Sequence, residues 1–221
     1  MTETLDHLLK RLRLEAKEPR DLFLIGGTLR VLDEQHALST KLRAEPGLAE
    51  IFAELYKRLV SAFGGAAQIR GLRILDIACG SNSSRAPGVF HLRGAGALRP
   101  IERNGGDGFS PLFEPWFPRI LQALGAEAVG VDIGDLDGEA FEHYVVDLSQ
   151  PGALQFLPAQ SFDAVQDSRL FGSPEFVARF PDKSDRVPVA REILRQEARL
   201  LKPGGVVIHS DAQQVVQRSG A

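Results

Sequence analysis

Three aspartates stand at or near the ends of short apolar runs: Asp76 in Leu72–Ala78, Asp132 in Ala128–Ile133 and Asp147 in Tyr144–Leu148. A carboxylate at the carboxyl end of a strand can accept hydrogen bonds from both vicinal hydroxyls of a ribose. Asp132, with Ile133 beside it, is the candidate for that role. Asp147 could accept from an adenine amino group while Leu148 packs on the ring. The plainer reading of Asp132 and Asp147 is that they are loop carboxylates or helix caps. Three carboxylates after three successive strands suit a ribose-bearing ligand without phosphates, which negative charge would repel.

The turn after the first run reads Asp76-Ile77-Ala78-Cys79-Gly80-Ser81-Asn82. Small residues there allow a ligand to approach the backbone. It is not a dinucleotide fingerprint, because GxGxxG needs three glycines and only Gly80 is present. No GxxxxGK[ST] segment occurs, so a phosphate-cradling loop is not expected.

Two further residues are catalytic candidates. Asp167, after the run Phe162–Gln166, could serve as general base, and His209, closing Gly205–His209, could do the same. Each is also simply a polar residue at a strand end. Cys79, the single cysteine, reads as a small packing residue. The five histidines show no HExxH spacing, and one cysteine cannot build a thiolate zinc cluster. No metal is expected.

The elements that must position these residues follow from periodicity. Leu5, Leu8, Leu9, Leu12 and Leu14 recur at roughly helical spacing, and the pattern stops near Pro19. A second helix is predicted over Leu22–Leu42. A third runs from Pro46 to the Gly64-Gly65 pair, with Leu48, Ile51, Phe52, Leu55, Leu59 and Val60 on one face. Residues 1–66 thus form a helical arm or cap. Beyond Arg70, five apolar runs read as buried strands, and helices over Glu114–Leu124 and Val189–Leu201 separate several of them. Alternating strands and helices predict an α/β, Rossmann-like, doubly wound and mostly parallel sheet over residues 67–221. A long Gly-, Pro- and Arg-rich insertion, residues 83–112, carries Arg85, His91, Arg93, Arg99 and Arg103, and reads as a solvated loop or a clamp for an acidic small molecule.

In their order along the chain, ILDIACGSN, GVDI, YVVDLS, SFDAVQDS and ARLLKPGGVVI resemble the class I S-adenosylmethionine-dependent methyltransferases. The resemblance covers Arg73 to about Asp211. It implies that Asp76, Ala78, Gly80 and Ser81 line the methionine end of S-adenosylmethionine. It places the ribose on Asp132 and the adenine beside Asp147 and Leu148, with Gln166 and Asp167 bordering the sulfonium and the substrate. Ala78 and Asn82 stand where the family more often has glycine, and the C-terminal strand pair of the family is missing. That would leave the fifth strand an unpaired edge, to be covered by the N-terminal helices or a second subunit as a homodimer.

Composition agrees with such an enzyme acting on a small molecule. Of 221 residues, 43% are hydrophobic and 25% charged, enough for one domain with an appendage. A net charge of -3 gives no reason to expect nucleic acid. The charged N-terminus lacks the apolar run of a signal peptide, and no stretch is long enough to span a bilayer. With a single cysteine, the expected location is cytoplasmic.

Overall fold

The computed structural model describes residues 3–13, 19–81, 90–93, 97–100, 111–134, 136–168, 170–209 and 216–218. Most of the 83–112 insertion, Asn82, and the residues Ser210 and Asp211 lie outside them. Five parallel strands build the sheet: β1 (Arg73–Ile77), β4 (Glu127–Asp132), β5 (Glu142–Val145), β6 (Phe162–Asp167) and β7 (Leu201–His209). Their order is β5-β4-β1-β6-β7, followed by an antiparallel β8 (Val216–Arg218). The direction of strand addition reverses between β1 and β6, which makes that junction the switch point of a Rossmann-like sheet. A separate antiparallel pair, β2 (Phe90–Arg93) and β3 (Ala97–Pro100), lies within the insertion.

The fifth strand is not the bare edge expected. β8 pairs with it opposite Val206–Ile208. β7 is also longer than the predicted Gly205–His209 and begins at Leu201, with a register shift opposite Phe162 and Ala164.

Seven helices occur among the described residues: α1 (Glu3–Leu12), α2 (Pro19–His36), α3 (Leu38–Ala44), α4 (Leu48–Phe63), α5 (Trp116–Ala123), α6 (Pro174–Arg179) and α7 (Lys183–Leu200). The single helix predicted over Leu22–Leu42 is broken at Ala37, which adopts the left-handed conformation (φ 52°). Asp33 stabilises the break: its Oδ1 accepts from the Ser39 amide at 2.6 Å, meeting one of the donors that a new helix start leaves open. α7 starts six residues before its predicted Val189, at a cap where the Asp182 side chain accepts from the Ser184 amide. No described helix is long and apolar enough to cross a membrane.

Strand side chains alternate between two faces, and so do their partners. Ile74, Ala128, Ala164, Val206 and Ile208 join a core shared with α1, α2, α3, α4 and α5. Leu75, Ile77, Val129, Val131 and Val165 face the other way, onto α6, α7 and the segment holding Leu154 and Leu157. The N-terminal helices therefore bury their apolar stripes in the same core as one face of the sheet.

A buried ionic network ties these helices to the strand ends. Arg119 of α5, 5% exposed, donates to Glu114 at 2.5 Å and to both oxygens of Glu139 at 2.6 and 3.1 Å. Lys41 of α3 also donates to Glu114. Arg119 and Lys41 lie over the Trp116 ring at 4.9 and 5.3 Å from its centroid, adding cation–π attraction. The Trp116 indole N–H donates to the Pro111 carbonyl at 2.6 Å, so the segment entering α5 is held at both ends.

Candidate functional site

The small-residue turn after β1 is fastened from three sides. The Cys79 amide donates to the Val131 carbonyl (3.2 Å), the Gly80 amide to Asp132 Oδ2 (2.9 Å), and the Ser81 amide to the Phe113 carbonyl (2.9 Å). Glycine is required at position 80 on two counts. Its φ is +98°, and a Cβ there would stand 2.2 Å from the Phe113 carbonyl oxygen. Ala78 itself takes a left-handed conformation, φ 58°. A Cβ at Gly130 would press on the Phe141 ring at 2.6 Å and on Cys79 Sγ at 2.9 Å, so Cys79 serves as packing.

Asp76 sits at the centre of the switch point and is fully buried. It is the register partner of Gln166 on β6, on the same face. Its Oδ1 accepts from Ser168 Oγ at 2.6 Å, with Gln166 Nε2 at 3.5 Å. Asp76 Oδ2 and Gln166 Oε1 are both buried with no hydrogen-bond partner among the described residues. Burial drives the Asp76 pKa well above the carboxylate range. The Ser168 bond opposes this, the charge of Asp132 adds to it, and that of Arg58 opposes it. Arg58, on α4, is itself buried, which brings a cation from the N-terminal helices towards Asp76.

Asp132 is positioned chiefly by backbone. Oδ2 takes the Gly80 amide and Oδ1 the Gly134 amide at 2.7 Å. Burial raises its pKa, while bonds from Gly134, Gly80 and Ile133 hold it down. Three backbone donors leave one of its roughly four lone-pair sites for another donor. Ile133 is exposed beside it.

Asp147 is differently placed. It accepts from the Ser149 amide (3.0 Å), Ser149 Oγ (2.5 Å) and Gln150 Nε2 (3.2 Å), and pairs with Arg179 of α6 at 2.9 Å. Burial works to raise its pKa, but the Ser149 and Gln150 bonds and the Arg179 charge outweigh it and hold the group below its ordinary value. The structure thus couples Asp76 to Asp132 electrostatically, whereas Asp147 stabilises its own turn at the outer strand. Leu148 is buried in the core beside it.

Asp167 and His209 are register partners at the tips of β6 and β7, with His209 Nδ1 2.6 Å from Asp167 Oδ2. They share strand parity with Val165 and Val207, so they point to the α7 face, opposite to Asp76 and Gln166. Glu197 of α7 completes this second cluster and is buried. Burial, reinforced by the charge of Asp167 and opposed by His209, pushes the Glu197 pKa up to about 8. The hydrogen bond that His209 donates to Asp167 raises the pKa of His209, against burial.

Sequence reading missed Glu197, Ser168 and Arg58. Glu197 carried a usable signal: it lies at helical spacing from Val189, Ile193 and Leu200, so it is a charge on an apolar stripe. Arg58 carried the same kind of signal between Leu55 and Leu59. Ser168 carried none.

No protein-family profile matches the chain, and no curated protein does. Among solved structures, PH0851 aligns over 65% of this chain and 31% of its own, at 15% identity and a TM-score of 0.34. A selenomethionine-substituted CurJ carbon methyltransferase aligns over 92% of this chain and 46% of its own, at 15% identity and a TM-score of 0.38. The chain therefore spans less than half the length of either, and neither likeness bears on its activity.

Proposed function

We propose that the chain binds S-adenosylmethionine beyond the ends of β1, β4 and β6 and transfers its methyl group to a small-molecule acceptor. The observation that carries this reading is the Asp76–Gln166 pair, buried at the switch point with one unpartnered acceptor oxygen on each residue. A buried pair with one open oxygen on each residue suits an ammonium or hydroxyl donor beside a sulfonium, whose positive charge would favour the ionised form of Asp76. Asp132, held by the Gly80, Gly134 and Ile133 amides, has a lone-pair site left for a ribose hydroxyl. Ala78, Gly80 and Ser81 would border the methionine end, Ile133 and Leu148 the adenine.

When bound, the cofactor supplies an electrophilic methyl group for in-line displacement. This chain's residues would then hold donor and acceptor in alignment and exclude water, a task that calls for positioning more than for a dedicated base. Calorimetry with S-adenosylmethionine and S-adenosylhomocysteine tests the reading. Saturable binding of both is expected, and no heat with either would end it. A second reading is a non-catalytic binder of the same nucleoside, since the geometry of Asp76 and Asp132 speaks to binding and not to turnover. Methyl transfer to any acceptor in a screen excludes that second reading.

A further inference from the structure

We infer that Asp167, Glu197 and His209 form a binding site for a divalent transition-metal ion, on the α7 face of the sheet. The inference is independent of the cofactor reading. One carboxylate oxygen from each acid and one ring nitrogen of His209 all lie within 4.8 Å of one another. The three residues come from three elements, β6, α7 and β7, so the grouping is tertiary and not a local turn.

The second observation concerns Glu197 alone. It is 1% exposed, and its Oε1 has no hydrogen-bond partner among the described residues. A buried carboxylate in that state is costly unless a cation or a proton neutralises it. Asp167, also 1% exposed, adds a second acid to the same space, against a single imidazole. Deprotonated, as metal ligands must be, two carboxylates and a neutral imidazole carry two negative charges, which a divalent ion would balance.

Ligand type narrows the ion. An imidazole nitrogen with two carboxylates suits zinc, manganese or cobalt, whereas magnesium and calcium prefer oxygen throughout. Spacing is compatible as well. Ligands about 2.0–2.2 Å from one tetrahedral ion stand about 3.3–3.6 Å apart, so an ion would replace the 2.6 Å hydrogen bond between His209 Nδ1 and Asp167 Oδ2 and open that pair by roughly 1 Å. The platform is rigid: Arg199, two residues past Glu197, donates to the Leu157 and Leu154 carbonyls at 3.0 and 2.8 Å. Three protein ligands also leave positions open to solvent or substrate oxygen.

The test uses the full chain stripped with a chelator and titrated with Co2+, read by visible d–d absorption. The wild type is expected to saturate at about one equivalent, with Zn2+ displacing the signal and Mg2+ failing to do so. Glu197→Gln and His209→Gln should each weaken Co2+ binding by roughly a hundredfold. Glu197→Gln keeps the shape and removes the ligating carboxylate, so Zn2+ should raise the unfolding temperature of the wild type and leave that of the variant unchanged. Absence of saturable Co2+ absorption in the wild type would overturn the inference and leave a protonated Glu197 in its place. Wild-type affinity in both variants would overturn it equally, by placing the ion elsewhere.

Discussion

Asp132 Oδ2 accepts the amide of Gly80 at 2.9 Å, so the residue proposed to meet the ribose also holds the turn proposed to border the methionine end. One carboxylate thus links the tips of β4 and β1, and loop geometry and ligand recognition depend on the same group. Asp132→Ala should therefore act twice. It leaves the Gly80 and Gly134 amides without their acceptor, at about 1–3 kcal/mol of folding stability, and weakens S-adenosylhomocysteine binding by a similar amount. Denaturant unfolding and calorimetry read the two effects. Unchanged affinity in a folded variant removes Asp132 from the site.

Asp76→Asn separates stability from binding. The folded pKa of Asp76 is raised far above its unfolded value, so the native state holds a proton that the unfolded chain releases. Its contribution is complete below the unfolded pKa of about 4 and is lost as pH rises towards the folded pKa. Metal-free, ligand-free wild type should lose stability with rising pH, and the asparagine variant should lose less. At neutral pH the variant should be the more stable and bind S-adenosylmethionine at least about tenfold more weakly. An identical pH slope in both proteins would show that Asp76 does not titrate in this window.

Gly80→Ala meets backbone, which cannot swing aside. With φ at +98° and a Cβ placed 2.2 Å from the Phe113 carbonyl oxygen, it should cost more than about 3 kcal/mol. Gly71, with φ +77° and nothing within 4 Å of its Cβ position, is the control. Gly71→Ala carries only the conformational strain, about 1 kcal/mol. Equal losses in urea melts would show that crowding at Phe113 is relieved.

Arg119→Met removes the cation shared by Glu114 and Glu139 while keeping most of the side-chain volume. Both buried acids lose this cation, with Lys41 still on Glu114, and the expected cost is about 3–5 kcal/mol. Restoring neutrality with Glu114→Gln and Glu139→Gln in the same chain should recover part of it. Thermal unfolding of the single and triple variants measures the difference, and a triple variant no more stable than the single one would refute the charge explanation.

Much of the architecture was legible in residue order alone. Runs such as Leu72–Ala78 and Ala128–Ile133, separated by helical stripes, dictate parallel strands, and parallel strands put Asp76, Asp132, Asp147, Asp167 and His209 near one end of the sheet. That follows from local preference and the two-residue alternation of strands. That a small-residue turn follows β1 was legible too, but not that the Phe113 carbonyl is what packs against Gly80. The break at Ala37 was not, because it depends on the Asp33 side chain capping Ser39, a choice that helical periodicity leaves open.

Only the tertiary structure decided which of those residues meet. Asp76 faces Gln166 because β1 and β6 are neighbours in a given register, and strand order is a property of distant pairing that no local pattern encodes. The same pairing sends Asp167 and His209 to the opposite face, where Glu197 arrives from α7. A one-residue change in register would have exchanged the two faces, which is why chain order determined the chemistry available while packing determined how it is grouped.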